Sequence, residues 1–238
     1  MIEIVDFHSH ILPGIDDGSA SVEESIAMLK MEAEQGIKHV VATPHFYPQT
    51  DSPERFLKRR DEAEKRLREE MAKHDGLPTL SIGAEVYYFS GISESEIIQG
   101  LTIDKKRCIL LEMPHTLWTD RMYREMESIF TKQSIIPIIA HVDRYIAPFR
   151  THRIPEKLAQ LPVLVQANAS FFIHNSTKRM ALRMLKEDRI HLLGSDCHNL
   201  DTRAPNLGSA VKIINERLGR EAIGQISFYE NEVLGGNN

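Results

Sequence analysis

The sequence predicts an α/β fold in which a parallel sheet is closed, or nearly closed, into a barrel. Three observations predict it. Short apolar runs alternate with amphipathic helical patterns along the whole 238-residue chain, the signature of repeated β–α units and a parallel sheet. Seven such units can be counted, enough to bring the sheet round towards its own first strand. Imidazole and carboxylate side chains follow directly after the apolar runs, where the strand ends of a barrel converge on one face.

The elements follow in order. Ile2–Phe7 is the first strand. Ser21-Val22-Glu23-Glu24 is a capping box, in which Ser and Glu satisfy each other's end amides. Val22, Ile26, Leu29 and Ala33 then recur at helical spacing until Gly36 stops the helix. His39–Ala42 is the second strand, and Arg55 to Lys73 is a long helix whose mixed charges mark a solvated face. Leu80–Gly83, Cys108–Leu111, Ile136–Ala140, Val163–Gln166 and Ile190–Gly194 supply the other strands. Met122–Lys132, Lys178–Glu187 and Ala204–Gly219 supply further helices. With no repeat, low-complexity stretch or linker, residues 1–238 read as a single domain.

Composition narrows the function. Hydrophobic content of 42% and charged content of 26% are those of a globular protein with an ordinary core. A net charge of −5 argues against a nucleic-acid partner, which selects a basic patch, but leaves room for a local phosphate pocket built from arginines. Two cysteines, Cys108 and Cys197, make no disulfide framework and fit a reducing compartment. The N-terminus enters a strand with no basic leader, and no apolar run reaches the ~20 residues of a membrane span. The expected location is the cytoplasm, with no membrane insertion.

The chemistry lies at the strand ends. His8 and His10 close the first strand, and residues i and i+2 of an extended chain face the same side, so both imidazoles can grip one cation. His45 follows Val40-Val41-Ala42-Thr43-Pro44, Glu85 follows Leu80-Ser81-Ile82-Gly83-Ala84, and Glu112 follows Ile109-Leu110-Leu111. His141 follows Ile138-Ile139-Ala140, and Asp196 and His198 follow Leu192-Leu193-Gly194-Ser195. A carboxylate at the end of a buried strand is costly unless paired or ligated, so each of these acids asks for a cation.

The order Asp6-Phe7-His8-Ser9-His10, Thr43-Pro44-His45, Gly83-Ala84-Glu85, His141-Val142-Asp143-Arg144 and Ser195-Asp196-Cys197-His198 is similar to that of the PHP superfamily (polymerase and histidinol phosphatase). Its members are distorted (β/α)7 barrels with up to three metals. The opening His8 to Gly18 resembles that of the bacterial manganese-dependent tyrosine phosphatases of capsule and exopolysaccharide clusters. The resemblance implies that His8, His10, Glu85 and Asp196 hold one metal. It implies that Glu85 bridges to a second, completed by Glu112 and His141. A third would use His45, His198 and one aspartate of the pair Asp16 and Asp17. Superfamily spacing favours Asp16, while the motif keeps both. Manganese is the implied metal; iron and zinc suit the same ligands.

Arg144 and Arg203 each follow a ligand motif closely, and a guanidinium grips phosphate oxygens in a fixed fork, so both read as phosphate anchors. Cys197 to Arg203 also satisfies the C-x5-R spacing of cysteine-dependent tyrosine phosphatases. Alternation points Cys197 away from its ligand neighbours, however, and no glycine lets amides close round a phosphate. Cys197 therefore reads as a core residue. Tyr47, Tyr87, Tyr88, Trp118, Phe171 and Phe172 read as core or rim packing, with one or two lining a pocket for a phosphotyrosine ring. Gln166 and Asn168 end a strand and either cap a loop or hydrogen-bond substrate or a metal-bound water.

The expected function is metal-dependent hydrolysis of a phosphoric monoester, foremost as a protein-tyrosine phosphatase, and the resemblance implies that its partner is the tyrosine-rich tail of a polysaccharide-export kinase. Histidinol-phosphate phosphatase is the alternative on the same site, and a closed rather than open pocket would mark it. A non-catalytic PHP module is the second alternative, and the intact ligand motifs argue against it.

Overall fold

A computed structural model of the chain describes residues 4–146 and 153–235. Its strands are β1 (Val5–Ser9), β2 (His39–Ala42), β3 (His45–Phe46), β4 (Thr79–Ile82), β5 (Glu85–Tyr87), β6 (Cys108–Glu112), β7 (Ile136–Ile139), β8 (Leu164–Asn168) and β9 (Leu192–Gly194). One sheet runs β1-β2-β4 and the other β3-β5-β6-β7-β8-β9, every neighbouring pair parallel. A bridge between Ser9 and Cys197 joins the first sheet to the end of β9. The whole is a curled parallel sheet on the line of a distorted barrel.

Each expected strand appears, His39–Ala42 with the expected bounds and the others with shifted ends. β1 begins at Val5 and runs on to Ser9; residues 2–3 of the expected first strand lie outside the described residues. Two breaks add segments that apolar periodicity does not reveal. At Thr43-Pro44 the proline has no N–H for the ladder, and the chain resumes as β3. At Gly83-Ala84 it resumes as β5. Pairing carries across both breaks, because Gly83 N donates to Ala42 O at 2.8 Å and Glu85 N donates to Pro44 O at 2.9 Å. The breaks therefore hold His45 and Glu85 at strand starts rather than on loops.

Side-chain alternation sorts the core into two layers. Cys108 and Leu110 join Val5, Phe7, Val41, Ile138 and Leu192 in a cluster drawn from strands around the whole sheet, which makes it the barrel interior. Ile109 and Leu111 face the other way, into the larger layer between sheet and helices. Each fully buried Leu, Ile or Phe contributes roughly 1.5–3 kcal/mol.

The helices are α1 (Val22–Glu34), α2 (Pro53–Met71), α3 (Asp120–Gln133), α4 (Asp143–Ile146), α5 (Ile154–Leu158), α6 (Ala169–Ile173), α7 (Lys178–Lys186), α8 (Leu207–Leu218) and α9 (Arg220–Leu234). At α1, Ser21 Oγ accepts from Glu24 N at 3.2 Å, while Glu24 Oε2 accepts from Ala20 N at 2.8 Å, one residue further back than the expected box. The buried face of α1 carries Met28 and Glu32 beside Ile26 and Leu29, so Val22 and Ala33 lie at its edges. Gly219, at φ +82°, ends α8 and turns the chain straight into α9, which the sequence reading stops short of. No helix among the described residues is long and apolar enough to cross a membrane.

α9 also supplies Glu230, 2% exposed, whose Oε1 accepts from Val5 N at 3.0 Å. Burial pushes this carboxyl up to about 8. It is neutral when folded and charged when unfolded above its ordinary value of 4.5. The unfolded state therefore binds fewer protons across that window, and stability falls as pH rises, by about 1.4 kcal/mol per pH unit between about pH 5 and pH 8. Glu230→Gln keeps the acceptor and removes the ionisation. Its melting temperature measured against pH should lose that slope; an unchanged slope would assign the proton elsewhere.

Candidate metal centre

The sequence-predicted residues meet at one end of the parallel sheet, most of them at the C-terminal ends of strands, with His45 and Glu85 at the starts of β3 and β5 just beyond β2 and β4. Glu85 lies at the middle. Its Oε2 is 3.2 Å from His8 Nε2, 3.3 Å from His10 Nε2 and 2.9 Å from His45 Nδ1. Its Oε1 is 2.8 Å from His141 Nε2. His8 Nε2 and His10 Nε2 face each other at 3.1 Å, and Asp196 Oδ1 is 3.6 and 3.5 Å from them. Glu112 stands on the far side of Glu85, with Oε1 3.8 Å from His141 Nε2 and Oε2 3.9 Å from His45 Nδ1. Asp17 Oδ1 is 3.5 Å from both His45 Nε2 and His198 Nε2.

These distances bring ligating atoms together in three groups that fit metal ions. His8, His10 and Glu85 form one group, His45, Glu85 and Glu112 a second, and His10, Asp17, His45 and His198 a third. Within each group the atoms lie within 4.8 Å of one another. The buried His45 Nδ1, Glu85 Oε2, Glu112 Oε2, His141 Nδ1 and His198 Nε2 have no hydrogen-bond partner. Glu85 Oε2 is thus close to three ring nitrogens yet makes no hydrogen bond, which suits donors aimed at a shared cation.

Electrostatics agree with that use at His141 and His198, whereas at His10 burial is outweighed by Asp16 and Glu85, which raise it to about 10. Burial drives the His141 and His198 imidazoles down to about 4, so both are neutral and free to ligate near neutral pH. Burial would raise the Glu85 carboxyl, but His8, His10, His141 and His45 hold it well below the usual range. Burial, then Glu85, pushes Glu112 up to about 7; one cation between the two carboxylates relieves that repulsion.

The aspartate pair divides. Asp16 Oδ2 accepts from His10 Nδ1 at 2.8 Å and from His45 N at 2.9 Å, and Oδ1 accepts from Gly18 N at 2.9 Å. Burial opposes its charge, but the hydrogen bond and charge of His10, with the His45 and Gly18 amides, together outweigh burial and hold Asp16 at about 2. Asp16 fixes the ring of His10 with its other nitrogen turned to the cluster, as partners of ligating histidines do. The exposed Asp17 joins the cluster itself.

Gln166 and Asn168 tie the ligands to each other. Gln166 Oε1 accepts from His141 N at 2.6 Å and lies 3.3 Å from His8 Nδ1. Gln166 Nε2 donates to Asn168 Oδ1 at 3.0 Å, and Asn168 Nδ2 donates to Asp196 Oδ2 at 2.9 Å. The backbone is bent to the same end. His141, at φ +31°, and Asp196, at φ +55°, occupy the left-handed region that non-glycine residues avoid. Gly194 lets β9 approach, since a Cβ there would meet His8 Cβ at 2.5 Å and Gln166 Nε2 at 2.7 Å.

Sequence reasoning missed the brace beneath these ligands. Asp6 Oδ1 accepts from Ser195 N at 2.8 Å and His8 N at 3.2 Å, and Oδ2 accepts from Ser195 Oγ at 2.5 Å. Glu32 of α1 faces Asp6 from the helix layer, fully buried. Burial, then Asp6, pushes the Glu32 carboxyl up, and burial raises Asp6 as well. An acid one turn from Leu29, on a buried face whose other polar residue is the small Ser25, was the available signal.

Both arginines reach the cluster. Arg203 Nη2 donates to Asp196 Oδ1 at 2.7 Å and its Nη1 is 3.9 Å from Asp17 Oδ2, while Arg144 donates to Asp196 Oδ2. Cys197 is fully buried in the layer between sheet and helices, and burial raises its thiol well above the ordinary value. Arg203 thus faces Asp196 rather than a thiolate cradle.

Fold and cluster define the class: a parallel α/β protein of the barrel type with a candidate multinuclear metal centre at its strand ends. Within that class the chain belongs to the family of capsular polysaccharide synthesis proteins CpsB/CapC, whose model it matches over residues 4–234. Tyrosine-protein phosphatase CpsB of Streptococcus pneumoniae is 30% identical over 247 residues, covering 96% of each chain. Tyrosine-protein phosphatase YwqE of Bacillus subtilis is 29% identical over 233 residues, covering 92% of this chain and 86% of the relative. The fold matches a solved chain from work on YwqE and CpsB, described as metal-dependent tyrosine phosphatases, with a TM-score of 0.82 at 23% identity, covering 99% of this chain and 96% of that one. A lactonase from Listeria monocytogenes is a remoter likeness in fold, with a TM-score of 0.54 at 12% identity over 94% of this chain and 92% of that one.

Proposed function

We propose that this chain is a metal-dependent phosphoric monoester hydrolase, a protein-tyrosine phosphatase of the cytoplasm. The observation that carries the reading is Glu85 amid four histidines, with Arg144 and Arg203 reaching the same cluster. Membership of the CpsB/CapC family supports it. His8, His10, Glu85 and Asp196 would hold one metal, Glu85, Glu112 and His141 a second, and His45, His198 and Asp17 a third, in a distorted (β/α)7 barrel. Manganese is the expected ion. The substrate would be the phosphorylated tyrosine-rich tail of a polysaccharide-export kinase.

Bound divalent cations there supply Lewis acidity towards phosphoryl oxygens and lower the pKa of a water into the neutral range. The residues of the chain do the rest. Arg144 and Arg203 grip phosphoryl oxygens and neutralise the charge that builds on them. Asp16 and Gln166 hold the rings of His10 and His8 in place. Cys197 takes no part as nucleophile, since its thiol is buried and protonated. The exposed rim at Asp17 and Tyr47 leaves the site open to a chain segment.

With manganese present, a phosphotyrosine peptide should be hydrolysed with a higher kcat/KM than histidinol phosphate; the reverse order would overturn the protein-phosphatase reading. The split of the aspartates has its own test. Asp17→Ala should lower bound metal by about one ion per chain while the melting temperature holds, because its side chain is 65% exposed. Asp16→Ala should lower the melting temperature as well, since it also frees His45 N and Gly18 N. Equal metal content in Asp17→Ala and the unmodified protein would remove Asp17 from the ligands.

A further inference from the structure

Among the described residues, Tyr47 and Phe228 are the exposed large aromatic side chains, and Tyr47 stands at the candidate metal centre. Its ring lies over the His45 imidazole, centroids 5.0 Å apart and planes 28° from parallel. Tyr87 backs it, with centroids at 5.6 Å. Tyr47 shares with Asp17, His45, Thr50 and Arg59 the wall of a cavity of about 300 Å³ that runs out from the third group of ligands. Arg59 is fixed across this cavity by Asp51 and by donating to Ile15 O at 3.1 Å.

A phosphate monoester held at the cluster must place its alcohol group beside it. For phosphotyrosine that group is a flat ring, one ester oxygen from phosphorus. For phosphoserine it is a single methylene with no face to stack. We propose that Tyr47, held by His45 and Tyr87, is the specificity-determining residue of this site, the wall on which the aryl group of phosphotyrosine packs. The inference rests on the phosphatase reading above and adds what selects aryl over alkyl esters. Offset or tilted aromatic pairs stabilise beyond their buried area, enough to change affinity about tenfold.

The test is steady-state kinetics of the manganese-loaded protein on a phosphotyrosine peptide and on the same peptide with phosphoserine. The variants are Tyr47→Ala, Tyr47→Phe and, as a control on α9, Phe228→Ala. Tyr47→Ala should raise KM for the phosphotyrosine peptide about tenfold with little change in kcat, and lower the phosphotyrosine-to-phosphoserine ratio of kcat/KM by the same factor. Tyr47→Phe should restore both, because the ring and not the hydroxyl does the packing. Metal content and melting temperature of Tyr47→Ala should match the unmodified protein, which separates packing on substrate from support of His45. Equal losses on both peptides, or an unchanged ratio, would overturn the role of Tyr47 and leave the phosphatase reading standing. An unmodified, metal-loaded protein that hydrolyses neither peptide would overturn both.

Discussion

Chelation of divalent metal should abolish hydrolysis of an aryl phosphate by this protein, and added manganese should restore it. Loss of a single preorganised charge donor typically costs 10²–10³ in kcat, on the order of 3–4 kcal/mol. Removing the ions that His8, His10, Glu85 and their neighbours are arranged to hold should exceed that and leave activity at background. Glu85→Gln should come nearest to the same loss among single substitutions, because its carboxylate faces His8, His10, His45 and His141 together. Cys197→Ser should keep most activity, because the thiol is fully buried and pushed well above its ordinary pKa. The paired measurement is metal content and turnover on each variant. An inactive Cys197→Ser protein with its full metal complement would place the chemistry on sulfur, and activity unchanged by exhaustive chelation would remove the metal from the mechanism.

Arg144→Ala and Arg203→Ala should each cost about 2–4 kcal/mol of transition-state stabilisation, the range for withdrawing one preorganised donor. Each guanidinium reaches the Asp196 carboxylate, so each can also reach a phosphoryl group held at the cluster. The side chains are 32% and 37% exposed, and neither fills the core, so melting temperature and metal content should stay near those of the unmodified protein. Lysine should rescue only in part, since an ammonium cannot make the two-pronged contact. The check is kcat/KM on a phosphotyrosine peptide beside metal analysis. Full activity in both alanine variants would reduce these residues to surface partners of Asp196.

What the sequence made legible follows from period and position. Apolar runs such as Cys108–Leu111 declared their strands because both faces are buried, one inward and one towards helices. Ser21 and Glu24 declared the start of α1. Periodicity could not show β3 and β5, each two or three residues long and made by breaks at Pro44 and Gly83. It stopped at Gly219, where a positive φ joins two helices rather than ending the domain's helical content. At the candidate site, the histidines and acids could be picked out because they stand just after strands. Their supports were less visible, since Gln166 works through a side chain that meets His8 and the backbone of His141 only in three dimensions. The division of labour between Asp16 and Asp17 depended on which carboxylate turned inward, and adjacent residues of one type carry no spacing signal for that.

The hydrogen bonds from Ser195 to Asp6 join residues 189 positions apart in the chain. They lock the strand bearing His8 and His10 to the strand end bearing Asp196 and His198, which sets an order of events as the polypeptide emerges. Until β9 is made, the opening histidines have Glu85 and Asp16 beside them but neither Asp196 nor His198. Closure over so long a separation is entropically slow and comes late in folding. The parts of the cluster that draw on Asp196 and His198 are therefore completed last, when the end of the chain has folded back onto its beginning.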